Sequence, residues 1–119
     1  MSHSPQDVYK KVLGKKGEKL VEKYLTGRGY TLLKRNFRTP FGEADLVMQY
    51  KDEIVFIEVK TRTSEEYGAP KEAVGREKQK RYYKIALCYG KEIGSEPNAR
   101  FDVAEVYKDG RIEYYENAF

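Results

Sequence analysis

Along the chain, apolar positions recur first at helical spacing and then at strand spacing. Tyr9, Leu13, Leu20 and Tyr24 fall on one side of a 3.6-residue repeat with Gly17 on the same stripe, which predicts a helix over residues 5–29. Pro5 suits its first turn and Gly29 its end. Thr31 to Phe37 reads as a strand, followed by the turn signal Thr39-Pro40-Phe41-Gly42. Strands over 43–50 and 53–62 come next, with Lys51-Asp52 spaced as a tight hairpin turn. In the second of these, Ile54, Val55, Phe56, Ile57 and Val59 are apolar on both faces, which marks a central strand covered on two sides. A loop with Gly68 and Pro70 leads into a second helix, about 76–92, with Tyr82, Ile85, Ala86 and Tyr89 on one face. Residues 99–107 and 111–115 read as strands joined at Asp109-Gly110. Helix, three strands, helix, two strands: the order predicts one small α/β domain over residues 1–119.

Length and composition narrow the class. A chain of 119 residues can bury one compact core. Lys and Arg number 23 against 19 for Asp and Glu, a net charge of +4 that is compatible with a nucleic-acid partner without requiring one. No stretch approaches the ~18 apolar residues of a membrane span, so no membrane partner is expected. The polar start, Met1 to Gln6, lacks the apolar core of a signal peptide. A single cysteine, Cys88, excludes an internal disulfide and a cysteine-built zinc site. A cytoplasmic setting is the expectation. The only histidine, His3, lies in the polar tail, which discounts histidine-based catalysis.

The hairpin carries the chemistry. Residues two apart in a strand share a face, so Glu58 and Lys60 point the same way. If Tyr50 pairs with Glu53, Asp45 lies opposite Glu58 and Glu43 opposite Lys60, all on one face. A three-residue turn would move Asp45 to the other face. Charges at the end of a covered strand are costly to bury, so this grouping calls for an explanation. The residues alone leave two open: an internal salt-bridge cluster, or oxygen ligands for a divalent cation with a lysine beside it. Mg²⁺ takes one or two carboxylates and keeps several waters, which Asp45 and Glu58 would match.

The spacing Asp45-x₁₂-Glu58-x-Lys60 resembles the PD-(D/E)XK nuclease superfamily. More extensively, Gly17-Glu18, Gly29-Tyr30, Arg35-Asn36, residues 42–47, residues 55–62, Ala73-Val74, Arg100 to Val103 and the ending Asn117-Ala118-Phe119 resemble the bacterial YraN family. The resemblance implies a three-layer restriction-endonuclease-like domain, a central mixed sheet with flanking helices. It implies Mg²⁺ or Mn²⁺ held by Asp45 and Glu58, with Glu18 contributing from the first helix and Lys60 as a catalytic group. Archaeal Holliday junction resolvases share this arrangement, so the implied activity is endonucleolytic hydrolysis of DNA, at branched or recombination and repair structures. Cutting a two-fold junction would favour a homodimer. Glu43-Ala44 replaces the superfamily's proline before the metal-binding Asp, which makes Glu43 an accessory ligand or a competitor for Lys60.

Around this centre, Arg76, Lys80 and Lys84 recur at four-residue spacing, with Lys78 and Arg81 close by, and could track phosphates or form a solvated helix face. Arg62 extends the Glu58–Lys60 face and could steady a phosphate or form a salt bridge. Gln79 sits where related nucleases place a polar residue near the metal-bound water, or is simply a surface glutamine. Asp102 is expected to serve a structural hydrogen bond. The rivals to an enzyme are a catalytically silent nucleic-acid-binding module with the same fold, and an interaction protein whose charged cluster is a salt-bridge network.

Overall fold

A computed structural model describes residues 5–62 and 75–118. The side chains of residues 5–13, Tyr9 and Leu13 among them, lie outside the described set, as do the loop with Gly68 and Pro70 and the Ala73-Val74 pair. The elements run α1 (Pro5–Thr26), β1 (Thr31–Thr39), β2 (Gly42–Tyr50), β3 (Glu53–Arg62), α2 (Arg76–Ile93), β4 (Ala99–Tyr107) and β5 (Ile112–Tyr115). They build one five-stranded sheet in the order β1-β2-β3-β4-β5. Only β3 and β4 are parallel. That pair needs a crossover, and α2 lies in the connection. The hairpin register is the one expected, with Tyr50 opposite Glu53. No helix among the described residues is long and apolar enough to cross a membrane.

The sheet is covered on both faces, giving three layers. Against one face α1 packs Val21 and Leu25 onto Leu46, Met48, Val55, Ile57, Ala104 and Val106. Against the other, α2 packs Tyr82, Ile85, Ala86 and Tyr89 onto Phe37, Ala44, Val47 and Phe56. The apolar-on-both-sides pattern of β3 follows directly, since its residues alternate between these two clusters.

Helix α1 differs in two respects from the expectation. Its regular turns stop at Thr26, and residues 27–29 close it instead. Gly29 N–H donates to Thr26 O and Tyr30 N–H to Leu25 O, with Gly29 at φ +93°, a Schellman ending that also packs Tyr30 near Leu25. The buried ridge is Gly17, Val21 and Leu25, whereas Leu20 is 40% exposed. The stripe is turned because Gly17 admits the sheet: a Cβ there would stand 3.0 Å from Thr61 Oγ1 and 3.6 Å from both Val59 and Val106. This close approach brings Glu18, the next residue, to the sheet's edge.

The far end of the sheet is held by a buried polar network. Arg100 donates to both Asp102 oxygens, to Glu53 and to the Tyr30 hydroxyl. Asp102, fully buried, also accepts from the Tyr114 hydroxyl and from Asn117 N–H at 3.0 Å. Every acceptor side of this buried carboxylate is occupied, which is what burial of a charge demands.

Overpacking the α1–sheet contact tests its tightness. Gly17→Leu is expected to lower the unfolding free energy by about 1–3 kcal/mol, seen as a lower urea midpoint at unchanged slope.

Candidate functional site

The site forms where two strands part. The β2–β3 ladder runs from Tyr50–Glu53 to Leu46–Ile57, and no main-chain pair follows it among the described residues. At the same level the alternation of β1 and β2 skips a step. Arg35 and Leu46 face α1, through the Arg35–Glu22 ion pair and the core, yet Phe37 and Ala44, two residues along, face α2. Asn36, at φ +50°, absorbs the irregularity on β1. Asp45 absorbs it on β2, and its Oδ2 accepts the Val59 N–H at 2.8 Å. A side chain thereby replaces the ladder bond that the parted strand no longer supplies.

Carboxylates gather at this break. With its nitrogen turned toward them, the Asn36 amide donates to Glu18 Oε1 and Glu43 Oε1, both at 2.9 Å. Glu18 thus arrives from α1 and Glu43 from β2. Burial, then the charges of Asp45 and Glu43, raise the Glu18 carboxyl above its ordinary range, while Lys15 and the Asn36 bond pull it down. Burial also drives Asp45 up to about 6, the Val59 N–H opposing it, and Glu43 and Glu58 add to the rise against Lys78. Glu58 follows Phe56 by two residues and so faces α2, where Lys78 Nζ meets it. The ammonium lies 2.6 Å from each carboxylate oxygen, but only Oε1 receives it with hydrogen-bond geometry. Glu58 Oε2 is buried without a hydrogen-bond partner.

The predicted residues are therefore partly brought together. Asp45 is the link, close enough to Glu18, Glu43 and Glu58 to feel the charge of Glu43 and Glu58 and to act on Glu18. Lys60 shares the Glu58 face of β3, opposite Glu105 in the parallel ladder, and is half-buried. Glu43 does not oppose Lys60 as expected, because the ladder ends first; its partners are Arg38, at 3.6 Å, and Asn36. Arg62 is engaged by Glu105 at 3.3 Å, so the salt bridge considered for it is present. Arg76, Gln79, Lys80 and Lys84 lie on the exposed side of α2.

Two residues were missed. Lys78 lies four residues before Tyr82 and seven before Ile85, on the apolar stripe of α2, and that placement was the available signal that it points inward. Asn36 carried no comparable signal. Among the described residues no group of three His, Cys, Asp or Glu side chains stands ready to hold a metal. The donors nevertheless suit a hard divalent cation. Asp45 and Glu58 would be the two carboxylates, the second with one buried oxygen that receives no hydrogen bond, and Glu18 would reach the ion through water.

The sequence model of the uncharacterised protein family UPF0102 matches residues 17–106. The chain belongs to that family. A UPF0102 protein of Thermodesulfovibrio yellowstonii is 47% identical over 107 residues, covering 90% of this chain and 95% of the relative. One from Caldanaerobacter subterraneus is 46% identical over 101 residues, covering 84% and 83%. Among solved structures, the one titled "Crystal structure of SSO0001" is similar at a TM-score of 0.43 and 20% identity, over 96% of this chain and 52% of that one, a likeness too loose to bear on the site. The matched stretch of the UPF0102 model holds Glu18, Asn36, Glu43, Asp45, Glu58, Lys60 and Lys78 together.

Asp45 should tie stability to pH. Its folded carboxyl keeps a proton to about 6, against an ordinary value of 3.8, so the folded state binds more protons between those limits. Its contribution therefore falls as pH rises through that window and stays unfavourable above it. Asp45→Asn retains an acceptor for Val59 N–H and removes the charge. The variant is expected to be more stable than the parent at pH 8, by on the order of 1–3 kcal/mol, with the difference closing toward pH 4. Melting curves at the two pH values check it.

Proposed function

We propose that this UPF0102 protein is a metal-dependent nuclease of the PD-(D/E)XK, restriction-endonuclease-like kind, hydrolysing phosphodiester bonds in DNA. The carrying observation is Asp45 set in the gap of the parted strands, bonded to the Val59 N–H and near enough to Glu58 to feel its charge, with Glu18 across Asn36. Four carboxylates gather at one break in the sheet; Lys78 offsets Glu58 and Arg38 offsets Glu43, which leaves Asp45 and Glu18 for a divalent cation to neutralise.

Asp45 and Glu58 would hold Mg²⁺ or Mn²⁺ directly and Glu18 through water. When bound, the ion supplies a water of lowered pKa and positive charge against the phosphate. For this to happen Lys78 must leave Glu58, and its ammonium then stands free to meet a phosphate oxygen. Lys60, two residues beyond Glu58 on the same face, orients the attacking water and meets the charge that develops on the phosphate. The Val59 N–H holds Asp45 through Oδ2, and the other carboxylate oxygen would serve the ion. Arg76, Lys80 and Lys84 take more distant phosphates. Branched recombination or repair intermediates, and a homodimer that would cut them symmetrically, belong to the same proposal, as does a cytoplasmic setting.

A second reading has one observation in its favour. The Lys78–Glu58 pair already neutralises one carboxylate, as expected of a DNA-binding module that keeps the fold and does not cut.

The variants separate these readings. Asp45→Ala or Glu58→Ala is expected to abolish the rise in melting temperature that Mn²⁺ gives the parent. Lys60→Ala should keep that rise and lose cleavage by roughly 10²–10⁴-fold, measured on branched, nicked and linear DNA. A parent that gains no stability from Mn²⁺ and cuts none of these would end the nuclease reading.

A further inference from the structure

Arg76, Lys80, Lys84 and Lys91 lie within one stripe on the outer side of α2, opposite the buried Tyr82, Ile85 and Tyr89. Among the described residues, none of the four has an acidic partner at ion-pairing distance. Aromatic rings are set among these cations. Tyr83 is 58% exposed and borders a depression of about 400 Å³ shared with Lys80, Lys84 and Phe101. Phe41, 46% exposed, borders a neighbouring depression of about 800 Å³ with Leu87 and Lys91. Lys84 borders both, its Nζ 5.2 Å from the centre of the Phe41 ring.

Phe41 is held in that place by the turn between β1 and β2. Its N–H donates to Thr39 Oγ1, whose hydroxyl donates to Gly42 O. Gly42, at φ +142°, lets the Arg81 stem cross the hairpin; a Cβ there would stand 2.8 Å from Arg81 Cδ. The loop tip is thereby seated against α2, and the ring is presented rather than buried.

We propose that this face of α2, together with Phe41, is a binding track for single-stranded nucleic acid. Unpaired bases stack on Tyr83 and Phe41, and Lys80, Lys84 and Lys91 take the phosphates between and beside them. The proposal deepens the nuclease reading, on which its biological sense rests, by naming unpaired strands as the substrate class. Unneutralised cations in a row call for a polyanion. A duplex satisfies them with phosphates alone, because its base faces are stacked inside. Exposed rings in apolar depressions between the cations gain contact only from bases whose faces are free.

The test is fluorescence anisotropy with labelled oligothymidine and a duplex of equal length, in EDTA so that nothing is cut. Oligothymidine is expected to bind at least about 10-fold more tightly than the duplex. Tyr83→Ala and Phe41→Ala should each weaken it about 10-fold with little change in salt dependence, and Tyr83→Phe should restore most of the loss. Lys80→Gln with Lys84→Gln should instead flatten the salt dependence. Equal or tighter duplex binding would overturn the proposal, as would an unaltered affinity in Tyr83→Ala. So would a protein dimer that Phe41→Ala dissolves while oligothymidine binding stays unchanged, which would assign the face to a second copy. Because no divalent ion is present, a protein that fails to cleave can still satisfy this test, and one that binds duplex can still cleave. All these side chains are exposed, so matching melting temperatures serve as the folding control.

Discussion

Beyond the Leu46–Ile57 pair, β2 and β3 no longer exchange main-chain bonds, and the N–H of Val59 goes to the carboxylate of Asp45. An unpaired N–H at the centre of a covered sheet costs about 1–3 kcal/mol, so the acid is tied to the position by the backbone itself. The same bond turns Asp45 away from the ordinary up-or-down choice of a strand residue, into the gap between strands. From there it reaches the environments of both faces: Glu18 from α1 on one side, Glu58 and Lys78 of the α2 side on the other. Without the gap, two layers of charged side chains would be separated by the sheet.

The surrounding packing keeps that gap open at a fixed place. Gly17 draws α1 onto Val59 and Thr61, which sets the height of Glu18. The Tyr82 ring is buried beside the carboxylates, and its hydroxyl is held well above its ordinary range by that burial and then by the charges of Glu58 and Asp45. It therefore stays a neutral neighbour. At the opposite end, the Arg100–Asp102 network ties β4 to Tyr30, Glu53 and Tyr114, so the sheet is cross-linked by side chains there and parts where the acids stand. Stability is given up at the break through mutual repulsion, a pattern common where residues are arranged for chemistry rather than for packing.

Much of this is legible in the amino-acid sequence. The strand limits of β3 and β4, the hairpin register and the two-sided burial of β3 all followed from period-two reasoning and the turn at Lys51-Asp52. The same reasoning failed where a strand stops obeying its period. It placed Asp45, Glu43, Glu58 and Lys60 on one face because alternation was carried past Leu46, and neither Asn36 nor Asp45 announces an irregular backbone by residue type. Leu20 was assigned to the core because apolar character was counted and the space made by Gly17 was not. Lys78 was grouped with the outer basic stripe by composition, although its helical position already set it with Tyr82 and Ile85. Local pattern identifies which residues could carry chemistry; which of them meet depends on long-range departures from pattern.

Whether the parted strands form a cation site can be read from crystals grown with Mn²⁺ and measured for anomalous scattering. One peak is expected between the Asp45 and Glu58 carboxylates, with Lys78 moved off Glu58. A crevice with no peak at saturating Mn²⁺, and Lys78 still seated on Glu58, would contradict it.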